Sequence, residues 1–342
     1  MSRRETSFAA SFADGKSRQD LDASGGDAGG VTEIGCYLHG LYPRSEALVA
    51  ATRDVDRGRQ PPRVVEAQRD VDRAEIVALQ RDAGLTLVSS GFLSWADLFR
   101  PLVDACPGLA TGPLVRWFDN NTFVRTPVVR GPLELDLDLF AVERTDVGLL
   151  PGPYTFSRMA TGAGDREALM AALARDLLRP AAEEFVRRGA QLVHLQEPWV
   201  TAHGIDDESW PAFAAALRVI GDGLSAQLVV HTYFGDAGPL IGRLSQLPVS
   251  AVGVDLTETD LAALAGPWQT GLLLGCLDGR SSLIEDVDLT VALAAKIIEA
   301  TRPPLLLLSS SCDLDLLPRP LADRKVHVLG AATRQLREAI PC

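Results

Sequence analysis

The sequence predicts an α/β fold, a closed (β/α)8 barrel of the TIM type, on three observations. Short apolar runs alternate with amphipathic helical stretches along most of the 342 residues, an alternation that implies a parallel sheet. Eight such repeats favour a closed barrel over an open doubly wound sheet. Five of the apolar runs end in polar residues, and the C-terminal edge of the strands is where a barrel builds its chemistry. No glycine-rich phosphate loop follows the first strand, because Gly35 and Gly40 do not make GxGxxG, so a dinucleotide fold gains no support.

Residues 1–31 carry Ser, Asp, Gly and Ala without periodicity and read as a disordered tail, leaving 32–342 as a single barrel domain. Strands are expected near 32–37, 85–90, 147–154, 190–196, 226–232, 251–256, 271–277 and 305–310. Helices fit near 45–57, 62–83, 165–189, 207–224, 236–246, 258–265, 283–300 and 330–339. The helix near 165 opens on Asp165 and Glu167, which favour its N-terminal dipole, and closes on Arg187-Arg188-Gly189. The segment 113–137 breaks the alternation and reads as an inserted hairpin over the barrel mouth.

With 46% hydrophobic residues the chain can bury a large core. Its net charge of −12 argues against nucleic acid or an anionic membrane as the main partner, since both need a basic face. A small anionic ligand needs only a few donors, which Arg116, Arg125, Arg130 and Arg280 can supply. The five cysteines (Cys36, Cys106, Cys276, Cys312 and Cys342) are scattered without a CxxC pair, which fits a reducing compartment. No apolar run approaches the roughly 20 residues of a membrane span, and no secretory signal follows Met1. A cytoplasmic protein acting on a small molecule is the expectation.

The strand ends name the candidates. His231-Thr232-Tyr233-Phe234-Gly235-Asp236 follows Ala226 to Val230, and His231 fits a general base or a metal ligand. In a barrel Asp255 and Cys312 arrive at the same mouth, where His231, Asp255 and Cys312 would complete a zinc site if the metal deprotonates the thiol. The plainer alternative is a hydrogen-bonded histidine and a buried, inert cysteine. Glu197, after Gln196 and before Pro198, binds a substrate amine, carries a proton, or pairs with an arginine. Asp119 and Asn121 offer donors and acceptors at a turn, while Asp278 and Arg280 suit an anion. His39 lies just beyond the first strand and is kept as a candidate. His194 alternates inside a strand and reads as satisfied core, and His203 and His327 read as surface.

At these positions the chain resembles the cobalamin-independent methionine synthases. The likeness runs through Thr32-Glu33-Ile34-Gly35 with Tyr42-Pro43-Arg44, Trp117-Phe118-Asp119 with Asn121 and Pro127, and Gly152-Pro153-Tyr154-Thr155. It continues through Gln196-Glu197-Pro198, Thr232-Tyr233-Phe234-Gly235 with Leu247-Pro248-Val249, Leu277-Asp278-Gly279-Arg280 and Ser310-Ser311-Cys312. In style these motifs are most similar to the family's N-terminal barrel. The resemblance implies methyl transfer from a folate-type donor to a thiol, without cobalamin.

The family's metal set, His-x-Cys, Glu and Cys, belongs to its C-terminal barrel. Carried over, it puts His231 and Cys312 in place, with Asp255 for the glutamate and Tyr233 where the first thiolate belongs. The family's ammonium-binding Gly-Glu corresponds to Gly91-Phe92, and its Asp-Glu-Pro to Gln196-Glu197-Pro198, so the homocysteine site is expected to be degraded. Two functions follow. One is an enzyme that transfers methyl or alkyl groups to a thiol, or runs a divergent reaction, with His231, Asp255, Cys312 and Glu197 catalytic, with or without zinc. Its substrate contacts would be Asp119, Asn121, Gln196, Tyr233, Asp278, Arg280 and His39. The other is a non-catalytic barrel that binds a folate-like ligand or docks on a second barrel protein.

Overall fold

The computed structural model describes residues 32–140 and 142–340; the tail expected over 1–31 lies outside them. Seven parallel strands form one curled sheet: β1 (Glu33–Cys36), β4 (Val147–Pro151), β5 (Leu192–Gln196), β6 (Gln227–Thr232), β7 (Ala251–Asp255), β8 (Gly271–Leu277) and β9 (Leu305–Ser310). Their order is β1-β9-β8-β7-β6-β5-β4, which leaves β1 and β4 as neighbours across one remaining gap. β2 (Leu109–Arg116) and β3 (Phe123–Val129) form a separate antiparallel hairpin, the insertion expected over 113–137.

The gap is filled by the segment expected as the second strand. Thr86 and Leu87 donate to the Cys36 carbonyl, and Asp146 donates to the Val88 carbonyl. The remaining ties use side chains: the Val88 amide bonds the Asp146 carboxylate at 3.0 Å and the Ser90 amide bonds the Thr145 hydroxyl at 3.2 Å. Residues 85–90 therefore hold the eighth position of the barrel without forming a regular strand. The expectation is corrected in type but not in place.

Helices cover the outside of the sheet. Those over Glu46–Asp56, Arg63–Ala83 and Val287–Thr301 lie close to their expected spans. The long stretch from Asp165 is helical in three pieces, with a wide π turn at Leu173–Leu178 just before Pro180, where a ring without an N–H would otherwise break the ladder. The last helix begins at Arg319, not near 330. Pro318 and Pro320 resemble breakers in the sequence, yet proline suits a first helical turn. The stretches near 236–246 and 258–265 shrink to single turns at Gly238–Leu240, Ile241–Leu244 and Leu261–Leu264.

Two apolar layers result from the alternation of side chains along each strand. The larger lies between sheet and helices. The smaller fills the barrel interior with Tyr37, Val147, Leu192, Val229, Ala251, Leu273 and Leu307. Among the described residues no helix is long and apolar enough to cross a membrane, and Cys36, Cys106, Cys276 and Cys312 carry free thiols.

One buried acid joins three helices. The Asp72 carboxylate accepts from the Ser45 amide and hydroxyl at 2.9 and 2.8 Å, and from Gln68 at 2.9 Å, with Arg319 3.5 Å away. Ser45 in turn caps the helix from Glu46. Replacing Asp72 with Ala leaves these donors unmatched, at about 1–3 kcal/mol for a buried group. Urea unfolding is expected to show a loss of about 3 kcal/mol, with Asp72→Asn falling between variant and wild type.

Candidate functional site

The interior changes from apolar to polar towards the C-terminal ends of the strands, and the period of two decides which residues make the change. On β5 the inward series is Leu192, His194, Gln196; on β6 it is Val229 and His231, continued past the strand end by Tyr233. In the paired register Gln196 lies beside His231, and His231 beside Gly253. A methyl group on Gly253 would stand 2.6 Å from the His231 ring, so the absent side chain is what admits the imidazole.

His39 joins from beyond β1. Its ring stacks on His194 with centroids 4.2 Å apart and planes 5° from parallel, and meets His231 edge-on at 4.8 Å. All three are buried. Burial holds His39 down to about 4 and His194 and His231 well below the ordinary imidazole value, so the three rings are neutral. His39 Nε2 lies 3.0 Å from the Ser310 carbonyl oxygen and His194 Nδ1 2.8 Å from the Tyr37 hydroxyl. His194 Nε2 and both nitrogens of His231 have no protein partner. The reading of His194 as satisfied core is thus half right: it is buried, with one nitrogen open.

Above this cluster Gln196 is the junction. Its amide nitrogen donates to the Asp313 carboxylate and lies 3.3 Å from His39 Nδ1, while its oxygen accepts from the Tyr233 hydroxyl at 2.9 Å. Burial, then the neighbouring Asp315, pushes the Asp313 carboxyl well above the usual carboxylate range. Beyond lies a cleft lined by Leu41, Asp97, Trp117, Tyr233, Phe234 and Asp313. The hairpin forms one wall of it through Trp117 and Thr122 to Val124. Phe118 and Phe234 both sit in the left-handed backbone region, at φ 50° and 64°. That conformation costs roughly 1–3 kcal/mol in a bulky residue, and their rings touch at 5.6 Å. Trp199 and His203 complete the aromatic rim.

The other expected residues lie around this centre in different ways. Glu197 is buried, and its carboxylate accepts from the Tyr154 and Thr155 amides, both at 2.8 Å, and from the Thr155 hydroxyl at 2.6 Å. It ties the start of the helix Pro153–Met159 to the end of β5, and among the described residues no arginine pairs with it. Burial outweighs those bonds and raises it to about 7. Asp255 closes its own turn through Thr257, accepting from the amide at 2.9 Å and the hydroxyl at 2.6 Å. Cys312 is buried, and burial pushes its thiol well above the ordinary range.

Arg280 pairs with Glu258 across the mouth rather than with Asp278. Asp119 and Asn121 are exposed at the hairpin tip, as are His203 and His327 at the surface. Among the described residues, the imidazole, thiol and carboxylate atoms spaced for a metal are those of His39, His194 and His231, all within 4.8 Å of one another. Asp255 and Cys312 are not in that group. Asp313, Asp97 and Tyr37 were missed as site residues. Asp313 follows directly on the strand-end run Ser309 to Cys312, and Tyr37 shares the inward parity of His39, so both signals were present.

The family model "Cobalamin-independent synthase, N-terminal domain" matches residues 140–302. The 5-methyltetrahydropteroyltriglutamate–homocysteine methyltransferase of Herpetosiphon aurantiacus is 28% identical over 236 residues, covering 65% of this chain and 31% of that protein. The protein of the same name from Bacillus thuringiensis is 24% identical over 245 residues, covering 66% and 32%. The chain therefore spans about a third of the length of these relatives.

Among solved structures, a B12-independent methionine synthase from Shewanella sp. W3-18-1, in complex with selenomethionine, superimposes with a TM-score of 0.69 at 17% identity. It covers 82% of this chain and 91% of that one. A putative vitamin-B12-independent methionine synthase from Listeria monocytogenes gives 0.64 at 14% identity, with 90% and 98% covered. The shared barrel, the matched domain and the strand-end motifs agree in one direction: over its central part the chain is similar to the N-terminal domain of the cobalamin-independent methionine synthases.

Proposed function

We propose that the protein transfers a methyl or alkyl group from a folate-type donor to the sulfur of a small thiol held at the barrel mouth, without cobalamin. The names of the curated relatives describe such a transfer, to homocysteine. The observation that carries the reading is the Gln196 junction, which links Asp313, Tyr233 and His39 at the floor of a cleft with an aromatic rim. Phe118, Trp199 and Phe234 offer faces on which a flat heterocycle stacks.

In the transfer the thiol sulfur attacks the methyl carbon, a C–S bond forms and the C–N bond to the donor breaks. The thiol proton must finish on the departing nitrogen. Asp313, kept protonated by burial, gives its proton to that nitrogen and recovers one from the thiol. Glu197 and Asp255 hold the mouth in shape in this scheme. By the resemblance read from the sequence, Phe92 replaces the family's ammonium-binding glutamate, and its ring packs on Trp95 and Phe185. The acceptor is accordingly a thiol other than homocysteine.

A panel of small thiols with a methylated folate donor, read by mass spectrometry of the S-methyl product, tests the scheme. Turnover is expected, with Asp313→Asn slower by about 100-fold, the scale of a lost general acid. A donor that binds at the mouth without product from any thiol would instead support the second reading, a binding barrel that serves a separate catalytic barrel. One observation favours that reading: Glu197, Asp255 and Cys312 are all occupied by internal bonds or burial.

A further inference from the structure

We propose that His39, His194 and His231 bind one divalent transition-metal ion of the zinc or cobalt type inside the barrel, below the Gln196 junction. Nitrogen chemistry, not the thiol expected from the sequence, then defines the metal set. The inference does not depend on the transfer reading, because the ion is counted without any substrate.

The donor set fits on three grounds. First, three ring nitrogens in a fully enclosed space lack a protein partner: His194 Nε2, His231 Nδ1 and His231 Nε2. Leaving buried polar atoms unmatched costs about 1–3 kcal/mol each, and a metal satisfies lone pairs that no side chain reaches. Second, the outer nitrogens of the other rings are already engaged. His39 Nε2 faces the Ser310 carbonyl and His194 Nδ1 the Tyr37 hydroxyl, which leaves as inward ligands His194 Nε2 and His39 Nδ1, the latter giving up its 3.3 Å contact with the Gln196 amide nitrogen to the ion. Metal-binding histidines are oriented in this way by their second nitrogen. Third, a metal needs neutral imidazoles, and this enclosed setting supplies them.

Distance permits it. Zinc–nitrogen bonds of about 2.1 Å in a tetrahedron set the nitrogens roughly 3.4 Å apart. The present spacing of at most 4.8 Å closes by ring rotation, with the stacked His39 and His194 rings opening towards the ion. Asp255 and Cys312 are outside this set, and the Cys312 sulfur is engaged with the Asp313 carbonyl at 3.7 Å.

The test uses tag-free full-length protein, unfolded in chelator and refolded with Zn2+ or Co2+, then desalted and assayed for metal by mass spectrometry. About one ion per chain is expected, with visible cobalt bands of a low-coordinate site and no thiolate-to-cobalt charge-transfer band. His194→Leu and His231→Gln should drop to background while Cys312→Ala keeps the full stoichiometry. Circular dichroism confirms that each variant folds, and the wild-type stoichiometry decides the matter if a histidine variant does not. Background metal in the wild type would overturn the proposal. So would metal lost with Cys312→Ala but kept with His194→Leu.

Discussion

Glu197→Ala is expected to cost about 4 kcal/mol of stability, because it strands three donors in a space closed to water. The Tyr154 amide, the Thr155 amide and the Thr155 hydroxyl all end on this one carboxylate. The helix that starts at Pro153 would lose its anchor to β5, and the mouth above it would loosen. Glu197→Gln restores one acceptor but turns an amide N–H towards a donor, so a loss of about 2 kcal/mol is expected.

The pH dependence gives a second readout. With its pKa raised to about 7 by burial, against roughly 4.3 in an unfolded chain, folded Glu197 holds a proton that the unfolded chain has released. Between these values the folded state binds more protons, so stability from this group is present below the lower value and falls as pH rises through the higher one. The full difference is about 4 kcal/mol. Urea midpoints at pH 5 and pH 8 should therefore show Glu197→Gln costing less at pH 8 than at pH 5. An equal cost at both would mean that the carboxylate stays ionised throughout.

Gly40→Ala is the second large effect. Gly40 has φ 76°, and a methyl group there would lie 1.6 Å from the Asp313 carboxylate oxygen and 2.9 Å from the Gln196 amide nitrogen. The left-handed backbone alone costs alanine roughly 1–2 kcal/mol. The overlap forces Asp313 off Gln196, and a total near 3 kcal/mol is expected. Gly58 is the control, since at φ 67° nothing lies within 4 Å of the added methyl. Gly58→Ala should cost only the backbone share and leave donor binding intact, while Gly40→Ala weakens binding at least 10-fold. Equal effects from both variants would show that the junction is not what Gly40 protects.

The barrel was legible because its strands are short apolar runs bounded by polar ends, a pattern set by burial on both faces. What failed were the places where tertiary contacts replace local rules. Residues 85–90 take a strand's place but are tied by Asp146 and Thr145, partners that no local window contains. The start at Arg319 was hidden by prolines that fit a first turn as readily as they end a helix. At the site, Gln196, His231 and Tyr233 were singled out from the sequence as strand-end residues, and a period of two puts all three on the inner face. Applied to His194, the same rule puts it beside them, although a histidine between apolar neighbours looks like ordinary core. The bonds of Glu197 could not be read, since they depend on how the loop after β4 folds back over 42 residues of chain.

Every other seam of the wall is a backbone ladder, whereas residues 85–90 are fastened by only three backbone bonds together with a carboxylate and a hydroxyl. Amide protons there should exchange with solvent ahead of those in the flanking strands, through a partial opening far short of global unfolding. The barrel would then have a hinged panel beside β1, the strand that leads to His39, through which small solutes reach the interior without passing the mouth.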